Sequence, residues 1–432
     1  MYRLIPLIML IALVPISLKA EEPQAWITKN LGDLVEIYQH FHASPELSFQ
    51  EEKTAAQLSE AWKAIGAEVT TGVGGYGVVA LLRNGDGPVL MLRTDMDALP
   101  VTEKTALKFA SKVKTTGALG NEVGVMHACG HDVHITNLIG VARYLAANKD
   151  RWQGTVMMVG QPAEEHLAGA KAMLEEGLFK RFPKPDFALA LHVAPELASD
   201  QVSYRTGYVL ANIDSVDIKI HGKGGHGAYP HTTIDPIVQA AQLILTLQTI
   251  VSREVKPIEP AVITVGSIHH CGTKHNIIGN ECHLQITVRS YSEKVRQQLL
   301  DAIKRKANAV AFGYGAPEPL IEISVGTPSL YNNADLVARV VPVFERVLGK
   351  EKVLVSEPKM GGEDFSYYGK AGVPIFMYGL GAVNGKRLTH YKQLNQRPPS
   401  LHSPTFYPDI EETLTTGFST MTGSVLELLK PE

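Results

Sequence analysis

The chain has 432 residues, more than one hydrophobic core usually serves, so two domains are expected. Hydrophobic residues make up 45% and charged residues 20%, with a formal net charge of -3, the balance of an ordinary soluble protein. There is no basic excess to neutralise phosphates, so nucleic acid is not an expected partner, and no run of like charge marks a tail.

Met1-Tyr2-Arg3 gives a short positive start, Leu4 to Leu18 is almost wholly apolar, and Lys19-Ala20 leads into the polar Glu21-Glu22-Pro23. That order predicts a secretory signal peptide over residues 1–20, although Leu18 stands where a small residue is preferred. The run is short for a bilayer span, and an uncleaved anchor is the alternative. A periplasmic or secreted location is therefore expected, where disulfides are permitted.

Leu31, Leu34, Val35, Tyr38 and Phe41 recur at helical spacing and predict a helix over 27–42, ending before Pro45. A second helix is predicted over 51–65, stopped by Gly66, and strands over 78–82 and 89–92, separated by Asn84-Gly85-Asp86-Gly87-Pro88. Val89 to Leu92 reads as a strand buried on both faces. It runs straight into Arg93-Thr94-Asp95-Met96-Asp97-Ala98-Leu99-Pro100. Acids just beyond a buried strand are where α/β folds place active sites, though alone they equally describe a solvated turn.

Met126-His127-Ala128-Cys129-Gly130-His131-Asp132 follows, a thiol and two imidazoles within a few residues. Cys and His are the usual ligands of zinc and similar ions, and Asp132 is placed to orient an imidazole. A helix is predicted over 133–148, then a strand over 155–159 ending in Gln161-Pro162-Ala163-Glu164-Glu165-His166. A helix over 168–176 and a strand over 187–191, followed at once by His192, complete the stretch. Strand, chemistry and helix thus recur three times, which predicts an α/β sheet with one functional edge.

The pattern then changes. Strands over 215–221, 261–268, 283–289 and 320–325 and helices over 236–251 and 293–311 read β-α-β-β-α-β, a ferredoxin-like α+β unit. It reads as an inserted domain, residues 212–326, dividing a catalytic domain into 21–211 and 327–432. The α/β pattern resumes with a helix over 334–348, a strand over 375–378 and a closing helix from Ile410.

The candidate ligands are Cys129, His131, Glu165, His192 and His402, enough for two divalent ions. Such a pair can polarise a carbonyl and acidify water. Of Glu164 and Glu165, adjacent side chains on an extended segment diverge, so one can bind metal while the other serves as a proton acceptor; their spacing does not say which. Gly225-His226-Gly227-Ala228 offers backbone access and an imidazole that can donate to an oxyanion. Met360-Gly361-Gly362-Glu363-Asp364-Phe365 is a third acidic loop, open to a structural or a functional role. His127 is a candidate for contact with a ligand or the substrate, and most other histidines, His42 among them, read as ordinary.

These pieces carry a family likeness. Asp95-Met96-Asp97-Ala98-Leu99-Pro100, His127-Ala128-Cys129-Gly130-His131-Asp132, Gln161-Pro162-Ala163-Glu164-Glu165, Leu191-His192, Gly225-His226-Gly227-Ala228, Gly362-Glu363-Asp364-Phe365 and Leu401-His402-Ser403-Pro404 occur in this order. In them the chain resembles the di-metal aminoacylase and glutamate-carboxypeptidase-like metallopeptidases, and within these the amidohydrolases that include hippurate and auxin-conjugate hydrolases. The resemblance implies a zinc-exopeptidase-like catalytic domain with the insertion as lid and dimerisation domain. It implies two divalent ions (Zn, Mn, Co or Ni) on Cys129, His131, Glu165, His192 and His402, with Glu164 as general base. It implies that Asp97 orients a ligand and that Arg289 lies near the substrate carboxylate. His226 and Asn276 would reach substrate or oxyanion across a homodimer. The implied reaction is cleavage of N-acyl amino acids, with small peptides as the alternative. Gly362 departs from a common serine, and Gly381 to Pro399 is long and basic-polar. Cys271 and Cys282 flank Asn276-Ile277 symmetrically, and a disulfide between them is expected.

Overall fold

The computed structural model describes residues 21–117 and 120–431. The expected signal peptide lies outside the described residues. Among these, no helix is long and apolar enough to cross a membrane.

An eight-stranded sheet runs in the order Glu68–Val73, Gly77–Asn84, Gly154–Gln161, Val89–Asp95, Phe187–Ala198, Ile375–Val383, Val202–Tyr204, Val353–Val355. The four strands at its centre are parallel to one another. Their carboxyl ends therefore meet along one edge, and each end runs into chemistry-bearing residues. Gly154–Gln161 is buried at every position, as a central parallel strand covered by helices on both faces should be. Helices Pro23–Ala43, His131–Ala147 and Ile410–Leu428 pack together on one face around Trp26, Leu34, Leu138, Leu414 and Phe418. The helix His131–Ala147 is apolar almost all round, which suits its burial.

Gly130 precedes that helix at φ +79°, and a Cβ there would stand 2.6 Å from Val193 Cγ2. Only glycine meets both conditions, and it lets Cys129 and His131 diverge toward the same edge.

A second, four-stranded antiparallel sheet is formed by Ala261–His269, Glu281–Ser290, Asn212–His221 and Leu320–Val325, in that order. Helices Pro236–Arg253 and Glu293–Gly313 cover it and share a separate core of Val216, Ile218, Leu243, Leu247, Leu284 and Leu299. Asp235 and Ser292 cap these helices through their side chains. Arg296 forks onto Asp214 at 2.5 and 2.8 Å and pins the second helix to the sheet. The chain enters and leaves this unit through Gly207–Leu210 and Leu330–Asn332, which pair as an antiparallel ribbon.

The predicted helices and strands are present, with ends shifted by a few residues. The strand Glu68–Val73 and the helix Gly385–Gln393 were not predicted. Glu51, expected to open the second helix, precedes it and instead accepts hydrogen bonds from the Phe49 and Ala163 amides. A Cβ at Gly362 would stand 2.2 Å from Ile213 Cδ1, so a serine there requires the Ile213 side chain to move.

Candidate active site

The carboxyl edge of the large sheet brings five donors together. Cys129 Sγ lies 3.5 Å from His192 Nε2, and His402 Nε2 lies 3.4 Å from Glu165 Oε1. Cys129, His131 and His192 form one group whose donor atoms all lie within 4.8 Å of one another; Cys129, Glu165 and His402 form another. Cys129 is common to both groups.

The hydrogen bonds fix which atom of each imidazole is free. His131 Nδ1 meets the Asp97 carbonyl at 2.8 Å, and His192 Nδ1 meets the Val193 carbonyl at 2.9 Å. Carbonyls only accept, so both Nδ1 atoms carry a proton, and in the neutral ring each Nε2 presents its lone pair. His131 Nε2 and Glu165 Oε1 are buried without a hydrogen-bond partner among the described residues. Unpaired buried acceptors beside a thiol are costly unless a cation takes them. Burial, reinforced by the Glu165 and Glu164 carboxylates against His131, pushes the Cys129 thiol well above its usual range, so a cation is also what would make it a thiolate. The donor set fits a pair of divalent ions.

The surrounding groups orient these donors. Asp97 Oδ2 accepts from Ser48 Oγ at 2.6 Å and from the Glu165 amide at 2.9 Å. Asp97 thus aligns both His131 and Glu165. His134 donates from Nδ1 to Asp95 at 2.6 Å and accepts from the Val193 amide at 3.0 Å, so both its nitrogens are committed. Burial lowers its pKa to about 4, in keeping with a neutral ring that accepts an N–H. Behind them Arg93, fully buried, reaches Asp95 at 2.6 Å, Gln161 at 3.1 Å, Glu363 at 2.9 Å and Asp364 at 3.2 Å. Sequence reading missed this arginine, although a cation ending a buried apolar strand must have acidic partners.

Glu164 is also buried at this edge, with Oε2 3.9 Å from His131 Nε2, and lines the same cleft. Burial, then the neighbouring Glu363, raises its pKa well above the carboxylate range.

Asp132 does orient an imidazole, but that of His42 and not of a ligand. His42 Nδ1 lies 2.7 Å from Asp132 and Nε2 3.1 Å from Glu103. Burial lowers the His42 pKa, but hydrogen bonds to Asp132 and Glu103 outweigh it and raise the value from 6.5 to about 9. A raised pKa means the protonated ring stabilises the fold fully below pH 6.5 and loses that contribution as pH rises through about 9. The stability gap between wild type and His42→Asn, read by denaturant titration, should shrink by up to ~3 kcal/mol across that window. A gap that does not change with pH would contradict the charged bridge.

A cleft of about 430 Å3 opens from the donors, and Cys129, Glu164, Glu165, His192, His402 and Arg289 line it. Arg289 donates to the Met360 carbonyl at 2.6 Å. His127 does not line the cleft. It is buried, and neither of its ring nitrogens has a partner among the described residues. His226 and Asn276 meet on the inserted unit, where the Gly227 amide donates to the Asn276 carbonyl at 2.9 Å. Both are exposed, and neither lines this cleft. Cys271 and Cys282 form a disulfide at the base of the loop that carries Asn276, and Cys129 is a free, buried thiol.

Comparison with known proteins agrees with this geometry. The profile of Peptidase family M20/M25/M40 matches residues 91–397. "Thermostable carboxypeptidase 1" of Saccharolobus solfataricus is 36% identical over 358 residues, covering 82% of this chain and 87% of the relative. "N-acetyl-L-cysteine deacetylase" of Bacillus subtilis is 36% identical over 357 residues, covering 82% and 81%. The solved structure of the Bacillus subtilis YXEP protein, described as a dinuclear metal binding peptidase from the M20 family, superposes with a TM-score of 0.75 at 29% identity, covering 93% of this chain and 99% of that one. With the family profile spanning residues 91–397 and a relative 36% identical over most of both chains, the chain belongs to Peptidase family M20/M25/M40.

Proposed function

We propose that this chain is a metal-dependent amidohydrolase that cleaves the amide bond of N-acyl amino acids. The observation that carries the reading is the pairing of five convergent donors with one buried carboxylate, Glu164, that opens on the same cleft. Cys129, His131, Glu165, His192 and His402 would hold two divalent ions. When bound, such ions supply Lewis-acid polarisation of a carbonyl and acidify water. Glu164 takes the proton of the attacking water and delivers it to the nitrogen of the leaving amino acid. Asp97 keeps His131 and Glu165 in place, and the Arg289 guanidinium receives the substrate carboxylate. A deacetylase among the relatives favours an N-acyl amino acid over a peptide, the substrate class to which a carboxypeptidase relative points.

The inserted unit serves as lid and dimerisation domain in this reading, with His226 and Asn276 completing the cleft of a second copy. Their position outside their own chain's cleft supports it. The Cys271–Cys282 bond supports export, since such pairs persist in oxidising compartments.

The test removes metal with a chelator, restores Zn, Mn, Co or Ni in turn, and assays N-acyl amino acids and dipeptides. Turnover should vanish on chelation and return with at least one ion, with N-acyl amino acids preferred. Mixing inactive Glu164→Ala and His226→Ala subunits should restore part of the activity. No restoration would remove the shared site but leave the hydrolase.

A further inference from the structure

The imidazole of His226 is arranged as a donor. The Ala228 amide donates to its Nδ1 at 3.0 Å, so in the neutral ring the proton sits on Nε2. Gly225 and His226 pair with Ile278 and Ile277 in a two-residue antiparallel ribbon. The Gly227 amide donates to the Asn276 carbonyl at 2.9 Å. The Gly222 and Gly224 amides donate to the Asn280 carbonyl and side chain at 2.7 and 2.9 Å. The loop 270–280 is thus the partner that holds His226 in place, and it carries Asn276 itself.

That loop has little else to hold it. Residues 270–280 are half-buried or exposed throughout, so packing does not fix their path. Hydrogen bonds open to water contribute little net free energy, and segments held by them open readily. The last pairing of the flanking strands is His269 with His283. Immediately beyond it His270 turns at φ +53°, a left-handed conformation that a residue with a Cβ keeps only where its surroundings enforce it. Cys271 follows. Its bond to Cys282 ties the root of the loop to a fully buried side chain in the core of the inserted unit. We propose, building on a cleft shared between two copies, that the Cys271–Cys282 disulfide is a positioning element. It sets the direction in which the loop leaves the sheet, and so presents Asn276 and His226 Nε2 to the cleft of the second copy.

The experiment uses the metal-loaded full chain. Cys271→Ser breaks the bond at its half-buried end and leaves Cys282 in the core, where a free thiol packs as a small apolar residue. An oxyanion donor acts in the transition state, so kcat for an N-acyl amino acid should fall at least about fivefold, a part of the ~10²–10³ that outright loss of such a donor costs. KM should stay within about twofold, with metal content unchanged and the thermal melt still cooperative. Reducing the folded wild type with a water-soluble phosphine should give the same fall in kcat, whether or not the variant folds, and should add nothing to Cys271→Ser. The deciding arm places Cys271→Ser in mixtures of Glu164→Ala and His226→Ala subunits. There the working cleft belongs to the His226→Ala chain, and the histidine that completes it comes from the Glu164→Ala chain. Cys271→Ser on the Glu164→Ala chain should therefore cut the restored activity at least about fivefold more than the same change on the His226→Ala chain. A bond that only stabilises the fold would cost the same on either chain. Equal losses, or a wild-type kcat after the bond is broken, would overturn the positioning role and leave the shared cleft standing. No restored activity in any mixture would overturn the shared cleft and this role with it.

Discussion

Glu164→Ala should abolish hydrolysis while leaving the metal content of the protein unchanged. Glu164 is buried at the head of the cleft, near His131 but outside the two donor groups that share Cys129. Its neighbour Glu165 turns the other way, to His402, and in the proposed mechanism the adjacent carboxylates would divide ligation and proton transfer between them. Removing a positioned general base costs typically ~10²–10⁴ in rate. Glu164→Asp, which keeps the carboxylate but withdraws it by one methylene, should fall in between. Steady-state kinetics with metal analysis of the same samples decides the matter. Activity within tenfold of wild type would remove Glu164 from the role, and loss of metal would make it a ligand.

Arg93→Met should destabilise the fold more than any change at a donor. The guanidinium is fully buried and serves Asp95, Glu363 and Asp364 at once, with Gln161 as a fourth partner. Methionine matches much of the side chain's length but leaves carboxylates in the core without a cation, and stripping one partner from a buried ionic group costs ~3–5 kcal/mol. The expected result is a drop of that size in the unfolding free energy, whether or not metal is present. A loss below ~1 kcal/mol would mean the acids are satisfied by one another and by the backbone amides of Ala170 and Phe365.

The candidate ligands were legible because most sit in short motifs at strand ends, and a parallel sheet gathers strand ends at one edge. Cys129, His131, Glu165, His192 and His402 come together as that logic requires. Asp132 was read correctly as a support but for the wrong imidazole: its partner His42 is 90 positions away, at the end of a helix whose periodicity marks its apolar face and not this ring. His127, a candidate for contact with a ligand or the substrate, is buried and does not line the cleft. The strand Glu68–Val73 escaped notice because it is a half-exposed edge with a weak alternation. The helix Gly385–Gln393 has no buried residue, so no apolar stripe announces it. The cleft walls are ordinary apolar residues from several segments, and only the fold makes a pocket of them.

The ribbon at Gly207–Leu210 and Leu330–Asn332 has a consequence for how the chain is made. Phe187–Ala198 borders Ile375–Val383, so on the ribosome one side of the central sheet waits while the entire inserted unit is synthesised. During that interval Arg93 is already in place, but Glu363 lies 270 residues downstream. The inserted unit, with its own core and local strand pairings, can fold first and hold the two ends of the ribbon together. Folded first, it would hold the ends of the ribbon together and shorten the search by which Ile375–Val383 finds the open sheet edge. Such an exposed edge is also where a nascent chain aggregates, so the insertion's early folding bears on yield as well as on catalysis.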